Sequence, residues 1–477
     1  MDKRNWKIIY ENYSGAEKKA LDLISAEMGS VICRDSGVYT LYVMPCEKEG
    51  AKLDKNTVVI GTYDKSRTVQ KYVRRDEIPQ NGYLVKVTDN AENGDLKTVI
   101  ITGLTPINVF YAAADFCDDY LPTAAKVSGG LRTDAEAFVV KIPDYVSASA
   151  PKTEKRSIFT WGHPINDFKK YIDNAARCRI NQLIIWNDYL PLNAKEIMDY
   201  AHEYNMELIW GFAWGWDVNG SEGIDMHNLE AVKEKIIKNF KENYLGCGDG
   251  IYFQSFTERE EDRIDGVLIA EAVVNFVNDV AAEIYKICPD IHLQFGLHAT
   301  SVKDHIEYFE KVDKRIEIVW EDCGVFPYHY LPKVEKAEDF EKTFDFTKKI
   351  INLRDRGKTG LVYKGLMTMD WTKFAHQSGR YVMGRSSDET AENDRKMLSP
   401  IWRHYTADWL VYGRYVHSFT ERLHKEGSEK INLNTAAQLD GGIFFPFALL
   451  SQIMWNSDEP YEKILSKVAN RKCVKMN

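Results

Sequence analysis

Residues 248–258 read Gly-Asp-Gly-Ile-Tyr-Phe-Gln-Ser-Phe-Thr-Glu. The two glycines around Asp249 predict a turn, and the β-branched and aromatic residues 251–253 are typical of a short buried strand. Polar residues then follow together, namely Gln254, Ser255, Thr257 and Glu258. In parallel α/β barrels the chemistry lies at the C-terminal ends of the strands. Glu258 is therefore a candidate catalytic acid or base, although a carboxylate at the start of a helix gives the same pattern.

Outward from this stretch, strand-like and helix-like segments alternate from about residue 156. The predicted strands are 158–161, 182–186, 207–214, 251–256, 292–297, 316–320 and 360–368. The predicted helices between them are 166–178, 193–204, 228–243, 264–287, 302–312 and 337–356. This alternation predicts a parallel sheet with right-handed crossovers, most economically a closed TIM (β/α)8 barrel. The eighth strand is not identified, because 394–424 and 434–470 look mainly helical.

The first third of the chain has a different rhythm. Strands are predicted at 6–10, 40–44, 57–60, 82–88 and 97–102, and Asn93-Gly94 predicts a hairpin turn between the last two. A helix is predicted at 104–120. The fold class is thus α/β. We expect a small α+β, sandwich-like N-terminal domain over 1–148, a linker over 149–155, and the barrel with a helical C-terminal region over 156–477.

Composition narrows the function classes. The 477 residues carry a net charge of -9, which argues against nucleic-acid and anionic-membrane partners. No apolar run approaches the roughly 20 residues of a spanning helix. The start, Met-Asp-Lys-Arg-Asn-Trp, lacks an apolar signal region and so predicts a cytoplasmic location, although a processed secreted chain would look the same. The eight cysteines are scattered without metal-ligand spacing, so we expect neither zinc nor a disulfide framework.

Aromatic residues gather where the predicted strands end. Of the 11 tryptophans, six lie at or just beyond a strand C-terminus: Trp161, Trp186, Trp214, Trp216, Trp320 and Trp371. Rings on one rim suit a sugar, whose C–H face stacks while its hydroxyls bind polar groups. The alternative is that the rings close the barrel mouth as packing.

Polar side chains recur at the same points and complete the predicted substrate site. We expect substrate contacts from the polar residues His163, Asn187, Asp188, Gln254, Thr257, His298 and Lys364. We also expect them from five of the six tryptophans, namely Trp186, Trp214, Trp216, Trp320 and Trp371. Such recurrence in successive units is typical of a barrel active site. The predicted partner is an oligosaccharide or glycoconjugate, with no cofactor and no metal; the oligomeric state stays open.

Glycoside hydrolysis needs two carboxyl groups flanking one bond. Glu258 fits the protonated acid, which should lie against apolar neighbours that raise its pKa. The second carboxylate is Asp322 or Asp370, with Glu321 behind them. Adjacent Glu321 and Asp322 cannot both face the interior of a regular strand, and we favour Asp322.

The order of domains resembles two glycosidase families. Gly82-Tyr-Leu-Val-Lys-Val87, Val99-Ile-Ile-Thr-Gly103 and Val109-Phe-Tyr-Ala-Ala-Ala-Asp-Phe116 precede the barrel. This is similar to the N-terminal domain ahead of the catalytic barrel in family 20 hexosaminidases and family 67 α-glucuronidases. The resemblance covers the layout of nearly the whole chain, but its specific motif is confined to about 40 residues. It implies a (β/α)8 glycoside hydrolase that is exo-acting.

The chain departs from family 20 at one important point. That family carries an Asp-Glu pair after the fourth strand, where this chain has Thr257-Glu258. Glu258 thus matches the acid, and the missing partner argues against N-acetylhexosaminidase activity. α-Glucuronidases resemble the chain in using a glutamate acid with bases from later strands. A uronic acid would also require a cation, for which Lys364 or Arg385 is a candidate.

Two other classes remain open from the sequence. One is a non-catalytic carbohydrate-binding barrel that keeps the aromatic rim. The other is a metal-dependent barrel enzyme that uses His163, His298 and Asp322. Phosphate chemistry is disfavoured, since no P-loop or dinucleotide glycine pattern occurs in a strand-to-helix context.

Overall fold

A computed structural model describes residues 6–36, 43–122, 124, 142–214, 226–324, 336–364 and 374–476. The chain divides into two compact units. The first is Met1–Pro151 with Glu203–Asn205 and Ser466–Val474, and the second is Lys152–His202, Met206–Leu465 and Lys475–Asn477. Over the described ranges, no helix has both the length and the apolar character needed to cross a bilayer.

The first unit is built on a six-stranded mixed sheet. Its strands are β1 (Trp6–Tyr10), β2 (Cys46–Lys48), β3 (Asn56–Thr62), β4 (Tyr83–Asp89), β5 (Lys97–Gly103) and β6 (Tyr145–Ser149). Its helices are α1 (Gly15–Ser36), α2 (Arg67–Tyr72) and α3 (Pro106–Asp115), the last followed by a π-helical turn, Phe116–Tyr120. The predicted strand 40–44 lies partly outside the described residues, and β2 begins just after it.

The order of the sheet is β2-β1-β3-β5-β4-β6. The predicted hairpin is confirmed: β4 and β5 pair antiparallel, with Tyr83 opposite Gly103 and Asp89 opposite Lys97. Pairs β1–β2, β1–β3 and β3–β5 are parallel. The helix α3 begins as its sequence predicts, because Thr105 caps it and Pro106 occupies its first turn.

The second unit is a closed eight-stranded parallel barrel, which confirms the predicted fold class. Its strands in chain order are β7 (Arg156–Trp161), β8 (Gln182–Trp186), β9 (Glu207–Gly211), β10 (Gly250–Gln254), β13 (His292–Leu297), β14 (Glu317–Cys323), β15 (Thr359–Tyr363) and β16 (Asn432–Ala436). Short two-residue strands β11 (Arg263–Ile264) and β12 (Val267–Leu268) form a small hairpin after β10, and β17 (Ile443–Phe444) and β18 (Val474–Lys475) lie near the C-terminus.

The eighth barrel strand lies at the edge of a region that the sequence predicts to be helical. Strand β16 pairs with β15 on one side and with β7 on the other, so it closes the barrel. Its sequence, Asn-Leu-Asn-Thr-Ala, has no run of β-branched residues. The two asparagines occupy the inward positions and make hydrogen bonds in the barrel interior. Tertiary context therefore overrides local propensity here.

The barrel helices follow the predicted alternation. They are α4 (Phe168–Arg177), α5 (Ala194–His202), α6 (Leu229–Asn239), α7 (Ile269–Ile287), α8 (Ala337–Ile351), α9 (Asp388–Lys425), α10 (Phe445–Trp455) and α11 (Tyr461–Ala469). The segment Lys303–Lys311 is a 3₁₀ helix with a non-helical residue, His305, rather than a regular α-helix. Asp167 illustrates the helix starts: its carboxylate accepts hydrogen bonds from the backbone of Lys169 and Lys170.

The barrel interior is filled in layers, as alternation along parallel strands dictates. A middle apolar layer consists of Phe159, Ile184, Ile209, Tyr252, Val319 and Val362, with Trp186 packed above it. Below it, towards the N-terminal ends of the strands, lies a polar layer. There His292 contacts Glu207 at 2.7 Å and Glu317 at 2.8 Å, while Asn432 Nδ2 donates to Glu317 Oε1 at 2.8 Å.

Candidate active site

The mouth of the barrel holds charged side chains from four neighbouring strands. We call the following five residues the His298 cluster: Glu258 after β10, His298 after β13, Glu321 and Asp322 in β14, and Lys364 after β15. All five were predicted as site residues, and the structure brings them together because the strands are adjacent and parallel.

His298 is the centre of this cluster and is 3% exposed. Its Nε2 lies 2.9 Å from Glu321 Oε2, and its Nδ1 lies 3.1 Å from Asp322 Oδ1. Burial acts to lower the pKa of His298, but the charge of Glu321 and the hydrogen bonds to both carboxylates raise that pKa to about 10. The imidazole is therefore a cation at neutral pH.

Glu321 is the most enclosed carboxylate of the cluster, 3% exposed. Its Oε1 accepts hydrogen bonds from the Tyr252 hydroxyl and from Gln254 Nε2. Burial acts to raise the pKa of Glu321, yet the charges of His298 and Lys364 and these hydrogen bonds hold the pKa well below its usual range. Glu321 is thus a buried, ionised group with every oxygen engaged.

Strand β14 is irregular, and this corrects the expectation that Glu321 and Asp322 cannot share the interior. Its register with β15 shifts between Trp320 and Cys323. Both carboxylates consequently contact His298, and Asp322 Oδ2 also accepts a hydrogen bond from the backbone N–H of Ala299 at 3.1 Å. A bulge of this kind redirects a side chain next to a functional site.

Gly296 makes the Tyr252–Glu321 hydrogen bond possible. A Cβ at this position would collide with the Tyr252 hydroxyl and with the Glu321 carboxylate. The glycine is therefore required by space inside the barrel. Neither Tyr252 nor Gly296 was predicted as a site residue; the signal was that Tyr252 lies two residues before Gln254, on the same face of the strand.

Lys364 supplies the second positive charge. Its Nζ lies 3.6 Å from Glu321 Oε2 and 3.6 Å from Asp322 Oδ1. Burial acts to lower the pKa of Lys364, but the charges of Glu321, Asp322 and Glu258 raise it on balance. Arg385, the other predicted cation, pairs with Glu196 at 2.5 Å and is not part of the cluster.

Glu258 occupies the open side of the cluster. Its side chain is 63% exposed, and its Oε2 lies 3.6 Å from His298 Nε2. Phe256, the apolar neighbour of Glu258 in the sequence, points into the core and packs against Phe276. Glu258 therefore does not lie in the apolar surroundings expected for a general acid. Its neighbours in the cluster are cations.

The predicted rim of tryptophans requires correction at two positions. Trp214 and Trp320 are fully buried. Trp214 stacks on Phe253 with centroids 3.5 Å apart, and Trp320 packs against Phe346 of α8 at 5.3 Å. Trp320 lies on β14 and Trp214 lies three residues beyond β9; both rings pack against buried aromatic side chains and do not face the mouth.

The two remaining described tryptophans stack on each other at the top of the barrel. Trp161 and Trp186 have ring centroids 4.7 Å apart, and Trp186 is 6% exposed. Trp186 lies over Gly211, where a Cβ would come within 2.6 Å of its ring. The two rings form an apolar surface at the C-terminal ends of β7 and β8, and Trp161 is the less buried of the two.

The other predicted polar residues have mixed placements. His163 Nδ1 lies 2.7 Å from the Trp161 carbonyl oxygen. Asp188 accepts a hydrogen bond from the Gln377 backbone at 2.7 Å and so anchors the segment that follows residue 373. Asn187 Nδ2 and Thr257 Oγ1 are buried without a hydrogen-bond partner among the residues that the structure describes.

Three predicted site residues, Trp216, Asp370 and Trp371, lie outside the described residues. The metal-site alternative finds no support in the described ranges, since no group of three or more His, Cys, Asp or Glu side chains there could hold a metal ion. Of its three proposed ligands, His298 and Asp322 are instead in direct contact with each other.

No protein-family model matches the chain. No curated protein matches it either. Among solved structures, one similar to this chain is a mutant β-hexosaminidase from Streptomyces plicatus in complex with its product GlcNAc, at 10% identity and a TM-score of 0.49, covering 97% of this chain and 90% of that one. Another is CpGH84B, at 15% identity and a TM-score of 0.44, covering 88% and 72%. At these values, function has to be argued from the site itself.

Proposed function

We propose that the protein is a glycoside hydrolase that removes a terminal sugar by using two carboxyl groups. The observation that carries the proposal is the convergence of three carboxylates on His298. Glu258 Oε2 lies 3.6 Å from His298 Nε2 and Asp322 Oδ1 lies 3.1 Å from Nδ1 of the same ring, so these two oxygens are at most about 9 Å apart once the width of the ring is added. Glycosidases place their paired carboxyls about 5 to 10 Å apart.

Glu258 is the group that a substrate can reach. Its 63% exposed carboxyl can exchange a proton with the glycosidic oxygen, which is the role of the acid/base residue. Beneath it, the carboxylates of Glu321 and Asp322 are held in place by His298 and Lys364, so that one of them can face the positive charge of an oxocarbenium-like transition state.

We assign the second catalytic role to Asp322 rather than to Glu321. Asp322 is the more exposed of the two side chains, 8% against 3%, whereas Glu321 is held by Tyr252 and Gln254 as well as by the two cations. Glu321 then acts as a positioning residue that fixes His298. Asp370, which follows β15 in the sequence, stays the alternative for this role.

The charges at the site favour a neutral sugar over a uronic acid. Lys364 is shared between Glu321 and Asp322 at 3.6 Å each, so little of its charge is left for a substrate carboxylate. Trp161 is a partly buried ring at this end of the barrel, and Asn187 and Thr257 have unused hydrogen-bonding capacity within the described part of the chain. N-acetylhexosaminidase and α-glucuronidase activities are both included in the test.

The test is hydrolysis of a panel of aryl glycosides: β-GlcNAc, β-GalNAc, α-glucuronide, β-glucoside and α-galactoside. We expect turnover of one sugar, with kcat/KM lowered about 10²- to 10⁴-fold by Glu258→Gln. The loss should be smaller for a leaving group that needs no protonation. Glu260→Gln, an exposed neighbour, is the matched control. Unchanged turnover in Glu258→Gln of an aryl glycoside whose leaving group does need protonation would refute the assignment.

A second candidate is a carbohydrate-binding barrel without catalysis. It is favoured by the exposure of Glu258 and by the cation beside it, since a general acid is expected in enclosed, apolar surroundings. For this function we expect no turnover of any glycoside, together with glycan binding that is equally tight in the wild type and in Glu258→Gln.

A further inference from the structure

A separate cavity of about 250 Å³ lies on the outer side of the barrel, between α9 and the segments that follow β7 and β16. It shares no residue with the His298 cluster. Its lining includes Asn166, Asp394, Trp402, Gln438, Asp440 and Phe444. The volume is that of a single pyranose ring with its substituents.

Gln438 is the observation that marks this cavity as a site. The residue is 9% exposed and lines the cavity, yet its amide has no hydrogen-bond partner among the described residues. An amide offers two donors and an acceptor, and those of Gln438 are open to the cavity rather than bonded to the described part of the protein. A ligand in the cavity would satisfy them.

The polar groups opposite Gln438 are held in fixed positions. Asn166 donates its backbone N–H to Asp440 Oδ2 at 2.6 Å and its side-chain Nδ2 to Asp394 Oδ2 at 2.9 Å. The main chain of Asn166 is itself bonded to Ser386, whose N–H donates to its carbonyl oxygen at 3.1 Å. Hydrogen bonds of this kind hold the carboxylates of Asp394 and Asp440 in position before a ligand binds.

An apolar wall completes the cavity. The rings of Trp402 and Phe444 stack with centroids 4.3 Å apart and an interplanar angle of 2°. Trp402 is 3% exposed and Phe444 is 5% exposed, so the wall is rigid. Aromatic carbon beside carboxylates and an amide is the lining that suits a polyol with an apolar face.

The charge of the lining selects against anions. Five carboxylates line the cavity, and two cations accompany them. Both cations are paired: Lys170 lies 3.2 Å from Asp167, and Arg395 bonds Glu392. Lys475 donates to the Gly441 carbonyl oxygen at 2.7 Å and keeps one positive charge nearby, which the three carboxylates not paired with a lining cation outweigh. The remaining lining carboxylates, Asp388, Asp394 and Asp440, leave the cavity net negative.

We propose that this cavity binds a pyranose-sized polyol that carries no negative charge, with amino sugars bound most tightly. The fixed acceptors Asp394 and Asp440 receive its hydroxyl or ammonium hydrogens, and Gln438 bonds a further hydroxyl. The site lies on the segments after β7 and β16 and is separate from the His298 cluster. It stands whether or not the barrel is catalytic.

The experiment uses three sugars with one ring and different charge, namely glucosamine, glucose and glucuronate, titrated calorimetrically into the full chain at pH 6. We expect saturable millimolar binding of glucosamine and glucose, with glucosamine at least about tenfold tighter than glucuronate. Added salt should narrow that gap. Because binding is measured, loss of turnover does not affect the result.

Three variants locate the binding. Gln438→Leu should weaken glucose binding about tenfold, and Asp394→Asn should remove the preference for glucosamine; Asp394 is only partly buried, so this variant keeps the fold. Glu258→Gln should leave both affinities unchanged. Absence of saturable binding by all three sugars, glucuronate binding most tightly, or binding that survives Gln438→Leu and is lost in Glu258→Gln would overturn the proposal.

Discussion

Replacing Glu321 with glutamine should be one of the most destabilising single substitutions in the barrel. Glu321 is 3% exposed and faces two cations, His298 at 2.9 Å and Lys364 at 3.6 Å. Without its charge, Asp322 alone opposes both. Removing one partner of a buried ion pair costs about 3 to 5 kcal/mol, because the other charge stays buried.

The pH dependence of this effect follows from His298. Its pKa is raised to about 10 in the folded protein, so the stabilisation from its protonated form is full below the unfolded value of about 6.5. That stabilisation is lost as the pH rises through about 10. The difference between the wild type and Glu321→Gln should therefore be largest near pH 6 and shrink above pH 9.

Urea unfolding followed by tryptophan fluorescence measures both quantities. The matched control is Glu338→Gln, an exposed carboxylate 2.9 Å from Lys342, whose loss should leave the urea midpoint nearly unchanged. A cost below about 1 kcal/mol for Glu321→Gln, or a difference that does not vary with pH, would refute the charge network described here.

Gly296→Ala should lower both the melting temperature and any turnover, because its Cβ would collide with the carboxylate of Glu321. Circular dichroism melts and the glycoside panel check this prediction, and wild-type values in both would contradict the packing described. Trp320→Phe should lower the urea midpoint while leaving KM unchanged, since the ring is fully buried; a raised KM would return it to the substrate site. Burial acts to raise the pKa of Glu207, but the hydrogen bond and charge of His292 lower that pKa to about 2. The ionised Glu207 therefore stabilises the folded protein fully above about pH 4.5, and this contribution is lost as the pH falls through about 2. In His292→Gln that acid-dependent loss should be smaller, which acid titration by fluorescence would show or contradict.

The barrel could be predicted from the sequence because its strand and helix patterns repeat. Seven strands have the apolar runs that a parallel sheet requires. The eighth, Asn432–Ala436, could not be found in this way, since its inward positions are asparagines that serve a polar interior. Its identity depends on partners that are 73, 115 and 250 residues away in the chain.

The site was predicted in part for the same reason. Strand ends indicated Glu258, His298, Asp322 and Lys364, which the structure places in one cluster. Sequence alternation could not reveal the bulge in β14, because a bulge is a property of the pairing between strands. It also could not tell which tryptophans face the helices.

The apolar layer inside the barrel has an electrical consequence. Glu317 and Glu321 belong to the same strand, four residues and therefore about 13 Å apart, with Val319 and its neighbours between them. Hydrocarbon of that thickness separates a lower network, formed by His292, Glu207 and Glu317, from the His298 cluster above it. Each of the two networks is nearly neutral by itself. Substitutions at the two ends should therefore add in free energy, and the lower network can be altered to tune stability without moving the titration of the upper one.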